Sequence, residues 1–128
     1  MKAVSSKKLR LFFSYASNDR ELAAALRSVL TERGVDVYPG AGWPAELPDA
    51  LKKANGMLVF GTKAFQASPM ASAEVELALL TGNLANKLIV LGDGTKLPWV
   101  LAKQPKLRLS TPTPRLADQI LEILSNQP

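Results

Sequence analysis

Four short segments of this chain are rich in apolar residues at successive positions, and they limit the folds that the sequence can adopt. They read LRLFFSY at 9–15, VDVY at 35–38, MLVFG at 57–61 and KLIVLG at 87–92. Apolar runs of this length are typical of strands that are buried on both faces of a sheet. A fifth and more polar segment, KLRLS at 106–110, is a further strand candidate. The sequence therefore predicts a five-stranded parallel sheet.

Segments with helical periodicity separate these strands. Asn18 and Glu21 have the spacing of a capping box, which predicts that the first helix begins there, and Gly34 is suited to its end. Three more segments are predicted to be helices: the first has apolar residues at helical spacing, the second is apolar almost all round, and the third has Pro114 near its first turn. These segments are 47–54, SPMASAEVELALLTG at 68–82, and TPTPRLADQILEIL at 111–124.

Strands that alternate with helices are typical of an α/β fold in which helices cover both faces of the sheet. We predict a flavodoxin-like three-layer sandwich with strand order 2-1-3-4-5. Sheets of this kind bind ligands at the carboxyl ends of strands where the order reverses, so a site is expected in the loops after strands one and three. The 128 residues fit one domain, structured over about 8–126 and compatible with excision from a larger protein.

The chain contains no cysteine and no histidine. This excludes disulfides, thiolate metal sites, cysteine nucleophiles and the Ser-His-Asp triad, and it removes the commonest zinc ligand. Any catalysis must therefore rest on carboxylates, hydroxyls, lysines or backbone groups. We expect neither a metal site nor a cofactor.

The net charge of +5 and the pI near 9.7 are compatible with an anionic partner. Only KKLR at 7–10 is locally dense in charge, and no aromatic residues are interleaved with it, so a nucleic-acid partner is not expected. The apolar run that follows is too short for a signal peptide, and no segment approaches the ~20 apolar residues of a membrane span. We expect a cytoplasmic protein without membrane contact.

Two familiar site patterns fit this sequence poorly. The segment GAGWPA at 40–45 matches a dinucleotide-binding pattern, but it follows the second strand rather than the first. Strand three ends in VFG, without an acid that could bind a ribose. A phosphoryl-accepting receiver domain needs acidic residues after strands one and three, where this chain has SY and GT.

The first strand and its exit carry a recognisable motif. The segment LFFSYASNDRELAAALRSVLTERGVDVY at 11–38 resembles the opening of TIR (Toll/interleukin-1 receptor) domains, especially those of bacteria. Phe13, Ser14, Tyr15 and Asp19 match the family motif in order. The segment PDALKKANGMLVFGTKAFQASPMASAEVELALLTG at 48–82 resembles the middle of the family, and the likeness covers nearly the whole chain.

The resemblance implies an enzyme that cleaves the bond between nicotinamide and ribose in NAD⁺, with one glutamate as the functional acid. Counting from Ser68 as the family pattern does identifies that acid as Glu74 rather than Glu76, and the neighbours of Glu74 one helical turn away are all apolar. NAD⁺ would be a substrate, and other TIR domains would be partners through self-association. The substrate-binding residues implied on the same basis are Ser14, Trp43, Lys63 and Phe65.

Purely structural roles are alternatives for three of these residues. Glu74 is also compatible with a partly exposed helix acid, Trp43 with a loop anchor, and Asp19 with a helix-start acid favoured by the helix dipole. The chain departs from the family at Gly61, where serine is common, and at Met70, where tryptophan is frequent.

Two further functions remain open at this stage. One is a non-catalytic adaptor that acts through contacts between TIR domains, and the other is an enzyme similar to nucleoside deoxyribosyltransferases, which also combine a flavodoxin-like fold with a glutamate. The loop after the second strand is short and has Pro39 where the family usually has an acid. That departure affects the expected geometry of self-association, because this loop contributes to it in the family.

Overall fold

A computed structural model describes residues 9–40, 42–81, 87–96, 101 and 104–125 of the chain. Five parallel strands form one sheet in the order β2-β1-β3-β4-β5, which confirms the predicted flavodoxin-like topology. The strands are β1 (Arg10–Ser14), β2 (Asp36–Tyr38), β3 (Gly56–Gly61), β4 (Leu88–Gly92) and β5 (Lys106–Arg108).

The described helices lie between these strands and after the last one. They are α1 (Arg20–Glu32), α2 (Leu47–Lys53), α3 (Lys63–Gln66), α4 (Pro69–Thr81) and α5 (Thr113–Ser125), and a 3₁₀ turn over Ser17–Asp19 precedes α1. The predicted turn glycine Gly82 and the segment before Leu101 lie outside the described residues. None of the described helices is long and apolar enough to cross a membrane.

Alternate residues of each central strand enter different cores, because successive side chains of a strand point to opposite faces. On one face Leu11, Phe13 and Phe60 pack against α1 and α5. On the other face Phe12 and Val59 pack against α2 and α4. Both faces of the sheet are therefore covered, which explains why β3 and β4 carry no polar side chain at any position.

The start of α1 differs from the expected capping box. The residue before the helix is Asp19 rather than Asn18, and no side chain caps the first turn. Instead, the Asp19 carboxylate accepts a 2.6 Å hydrogen bond from the hydroxyl of Thr62, which follows β3. The capping-box prediction was wrong because Asn18 lies within the 3₁₀ turn and the helix begins one residue later than that spacing requires.

Candidate functional site

Ser14 and Glu74 meet where β1 ends beneath α4. Ser14 is completely buried, and its hydroxyl lies 2.9 Å from Glu74 Oε1 and 3.2 Å from the backbone oxygen of Ala71. Both of those oxygens accept hydrogen bonds, and the hydroxyl has a single proton to donate. Both acceptors are within reach of Ser14 because Ala71 and Glu74 are three residues apart and lie on the same face of α4. Ser14 therefore contacts the Glu74 carboxylate from the side of the sheet.

The environment of Glu74 favours the protonated carboxyl more than water does. Partial burial raises the pKa of Glu74 above its ordinary value, and the hydrogen bond from Ser14 opposes part of that rise. The other acid of the segment, Glu76, is exposed to solvent. The structure therefore agrees with the expectation that Glu74 is the better-shielded of the two acids.

A cleft of about 480 Å³ lies above Glu74, at the carboxyl ends of β1 and β2. Among the described residues that line it, Glu74 is the single carboxylate. The cleft is therefore a mixed surface of aromatic, hydroxyl and cationic groups around one acid. Its other main lining residues are Tyr15, Ser17, Arg20, Tyr38, Ser68 and Met70.

Tyr38, the last residue of β2, forms one wall of the cleft. Its ring stacks on Phe12 with the two ring centres 4.3 Å apart. Burial raises the pKa of Tyr38, and the negative charge of Glu74 raises it further. The Tyr38 hydroxyl therefore stays protonated at neutral pH, where it is available as a hydrogen-bond donor close to the glutamate.

Arg20, the first residue of α1, brings a guanidinium to the same cleft. Sequence reasoning did not select Arg20 or Tyr38 as functional residues. The available signal was their position, because Tyr38 ends β2 and Arg20 begins the helix that follows β1, beside the predicted reversal of strand order.

Trp43 does not line the Glu74 cleft. Its indole N–H donates a 3.0 Å hydrogen bond to Asp36, and its ring packs edge-on to Tyr38 with the ring centres 5.4 Å apart. The ammonium of Lys53 lies 5.5 Å from the centre of the ring. These are the contacts of a loop anchor, and a role for Trp43 in binding substrate stays a prediction.

Lys63 and Phe65 also lie away from Glu74. Phe65 is buried in the core beneath α4 and borders a separate, largely apolar cleft that is also lined by Glu76 and Leu80. Lys63 is exposed, and its backbone N–H faces the Asp93 carboxylate at 3.3 Å. Of the predicted site residues, the structure therefore brings together Ser14 and Glu74.

Comparisons with known proteins agree with this architecture. The family model described as "TIR domain" matches residues 11–120 of the chain. The chain belongs to the TIR domain family. Within this TIR domain the matched range contains both Ser14 and Glu74. A search of the curated proteins found no match.

Solved structures share the fold of this TIR domain at low sequence identity. It is similar to the TIR domain of the Toll-related receptor TRR-2 from Hydra magnipapillata, with a TM-score of 0.68 and 16% identity over 91% of this chain and 98% of that one. It is also similar to the CMP N-glycosidase BcmB from Clostridium botulinum, with a TM-score of 0.59 and 17% identity over 88% of this chain and 98% of that one.

Proposed function

We propose that this TIR domain is an N-glycosidase that cleaves the nicotinamide–ribose bond of NAD⁺, with Glu74 as the catalytic carboxylate. The observation that carries the proposal is the partly buried Glu74 carboxylate, hydrogen-bonded by Ser14 at 2.9 Å at the base of a cleft. A single desolvated acid in a concave site is the usual mark of a functional carboxylate rather than of a solvated surface charge.

The chemistry of NAD⁺ suits a cleft whose described lining has one acid. When the glycosidic bond breaks, the electron pair goes to the positively charged pyridinium nitrogen, and nicotinamide leaves as a neutral base. No enzyme acid has to protonate it, whereas ordinary glycoside hydrolysis uses two carboxylates. Water then adds to the anomeric carbon and releases a proton, so that NAD⁺ and water give ADP-ribose, nicotinamide and H⁺.

The proposed role of Glu74 is electrostatic. Positive charge develops on the ribose as nicotinamide departs, and a carboxylate held in a poorly solvated cleft stabilises that charge more strongly than it would in water. Glu74 must be ionised for this role, so its raised pKa places the acidic limit of activity at a higher pH than an exposed glutamate would. Ser14 limits that shift by donating to the ionised carboxylate.

We place this activity in cytoplasmic immune or defence signalling and expect it to depend on self-assembly, in which members of the family commonly engage. Met70, at the edge of the Glu74 cleft, leaves 75% of its surface exposed, and Leu80 on the same helix leaves 84% exposed. Apolar side chains of this size are candidates for burial in a contact between copies.

A second candidate substrate is a nucleotide such as CMP, because a similar structure is that of a CMP N-glycosidase. The cytosine of CMP carries no positive charge, so it would leave as an anion unless it is protonated. A carboxyl of raised pKa or the Tyr38 hydroxyl would have to supply that proton. Release of cytosine rather than nicotinamide would favour this candidate.

The test is release of nicotinamide from NAD⁺ by clustered protein, with release of cytosine from CMP measured in parallel. We expect the parent protein to cleave NAD⁺ and Glu74→Gln to lose at least about a hundredfold in rate. Glu76→Gln, which removes the exposed acid of the same helix, is the matched control and should remain active. Thermal denaturation of each variant verifies folding.

Inactivity of the parent protein towards both nucleotides, in samples shown by light scattering to be assembled, would overturn the proposal. The adaptor function would then be favoured, and Glu74 would be a structural helix acid. Equal losses in the two glutamine variants would also contradict the role given to Glu74.

A further inference from the structure

A side lobe of about 240 Å³ adjoins the Glu74 cleft between α1 and the end of β2. The lobe and the cleft share Phe13, Tyr15, Arg20 and Pro39 among their lining residues, so Arg20 stands where the two spaces meet. The opposite end of the lobe is lined by Arg27. One extended concavity therefore runs from the glutamate along the first helix.

Arg20 and Arg27 lie on the same side of α1, because seven residues correspond to nearly two complete helical turns. Their Cα atoms are separated by roughly 10 Å along the helix axis. In the part of the chain that the structure describes, Arg33 forms an ion pair with Asp118. No described carboxylate forms an ion pair with Arg20 or Arg27. The described lining of the lobe also includes no acid. Two uncompensated guanidinium groups thus line this part of the concavity.

Arg27 is held against the loop that follows β2. A Cβ atom added at Gly40 would lie 2.6 Å from Arg27 Nη2 and 2.8 Å from the backbone oxygen of Val37, both closer than real Cβ contacts. The absence of a side chain at Gly40 therefore lets the guanidinium pack directly on the loop backbone. Arg27 is half-buried there, so its planar group is partly pre-ordered rather than freely solvated.

We infer that Arg20 and Arg27 form an anion subsite that holds the phosphate groups of a nucleotide whose glycosidic bond lies at Glu74. The inference rests on the proposed N-glycosidase function and deepens it by naming what selects the substrate. Guanidinium groups bind phosphate through paired, charge-assisted hydrogen bonds, and the described carboxylate of the concavity lies at its other end. The site therefore selects nucleotides over the corresponding nucleosides, and Arg27 is the specificity residue.

The experiment compares two substrates that share the bond broken but differ in phosphate. NAD⁺ carries a diphosphate, and nicotinamide riboside carries none. We expect Arg27→Gln to lower kcat/KM for NAD⁺ by at least about tenfold, mainly through a higher KM, and to leave kcat/KM for nicotinamide riboside unchanged. Arg27→Lys should recover part of the loss, because lysine keeps the charge but not the planar pair of donors.

Arg108→Gln is the matched control, since it removes the same charge from an exposed position on β5. It should leave both substrates unaffected. Equal losses in Arg27→Gln and Arg108→Gln would show an effect of net charge alone and would overturn the subsite. A loss in Arg27→Gln that is the same for both substrates would overturn it as well.

Binding of ADP-ribose separates failure of the subsite from failure of the proposed function. If neither substrate is cleaved, the N-glycosidase proposal fails, and calorimetry with ADP-ribose still tests the arginines. Binding by the parent protein that weakens at least about tenfold in Arg27→Gln would support the subsite. Absence of binding by the parent protein, or equal affinity in the two proteins, would overturn it.

Discussion

Glu74 is subject to two opposing effects whose balance sets its charge. Burial disfavours the carboxylate, and the hydrogen bond from Ser14 favours it. The burial effect is the larger, so the pKa lies above its ordinary value. Because the Ser14 hydroxyl also reaches the Ala71 oxygen, its proton has an alternative acceptor when Glu74 becomes protonated.

Ser14→Ala should therefore raise the pKa of Glu74 further. The variant removes the hydrogen bond that favours the ionised form and leaves the burial of the carboxylate in place. Titration of the Glu74 carboxyl carbon by NMR measures this directly, and the acidic limb of the NAD⁺ cleavage profile should move to higher pH in the same sense. Ser17→Ala, an exposed hydroxyl of the cleft, is the control. An unchanged Glu74 titration in Ser14→Ala would remove Ser14 from the mechanism.

Glu74→Gln should stabilise the protein most at neutral and alkaline pH. Since the pKa of Glu74 is higher in the folded than in the unfolded chain, the folded state binds the proton more tightly. The stabilisation that this provides is complete below the unfolded pKa and is lost as the pH rises through the folded pKa. Glutamine keeps a similar shape and accepts the Ser14 hydrogen bond but never becomes charged.

The melting temperatures of parent and Glu74→Gln should thus converge at acidic pH and separate above the folded pKa, with the variant higher. Glu76→Gln provides the comparison at an exposed position of the same helix. A difference between parent and Glu74→Gln that does not depend on pH would contradict the raised pKa.

At the scale of elements, Thr62 joins the end of β3 to the starts of two helices. Its hydroxyl donates to Asp19 at 2.6 Å and accepts a 3.2 Å hydrogen bond from the backbone N–H of Phe65, which caps α3. The side chain is nearly completely buried, so water cannot replace either partner. This contact fixes the start of α1, where Arg20 enters the cleft.

Thr62→Val should lower the free energy of unfolding by about 1–3 kcal/mol, because it removes the helix cap and leaves a buried N–H without its acceptor. Urea denaturation measures the change. Thr62→Ser keeps the hydroxyl and should lose less than the valine variant. A larger loss in Thr62→Ser than in Thr62→Val would show that the methyl group of Thr62, and not its hydroxyl, stabilises this junction.

The sequence predicted the long elements better than their junctions. The apolar stripe of α1 and the apolar run of β3 require burial wherever they occur, so their identities follow from local patterns. The short helix α3 and the 3₁₀ turn were not predicted. Both are fixed by Thr62 and Asp19, which lie 43 residues apart in the sequence, and no local pattern reports that pairing.

At the scale of the whole molecule, the sheet separates two cores, and the cleft opens at the carboxyl end of the strands. Ile120 of α5 is completely buried in the core shared with α1. Glu74 belongs to α4, which packs on the opposite face of the sheet. The Ile120 side chain and the Glu74 carboxylate therefore lie on opposite faces of the sheet.

Ile120→Ala should lower the free energy of unfolding by about 2–5 kcal/mol, the cost of lost burial and an unfilled cavity. The Glu74 titration should not move, because the sheet lies between the two side chains. Calorimetric unfolding combined with the NMR titration checks both statements. The half-buried Leu121→Ala should cost less. A shifted Glu74 pKa in Ile120→Ala would show that the layers are coupled.

The sequence by itself determined the layers of this protein and the identity of its shielded acid. Uniformly apolar strands have no solvated face, so they require a parallel sheet covered on both sides. A helix that is apolar almost all round must bring at least one of Glu74 and Glu76 near packed surface, and the resemblance to the TIR family selects Glu74. The tertiary structure decided what surrounds the acid. Ser14 binds the acid from β1, and Tyr38 and Arg20 line the cleft from β2 and α1, so which side chains meet there depends on how distant segments pack.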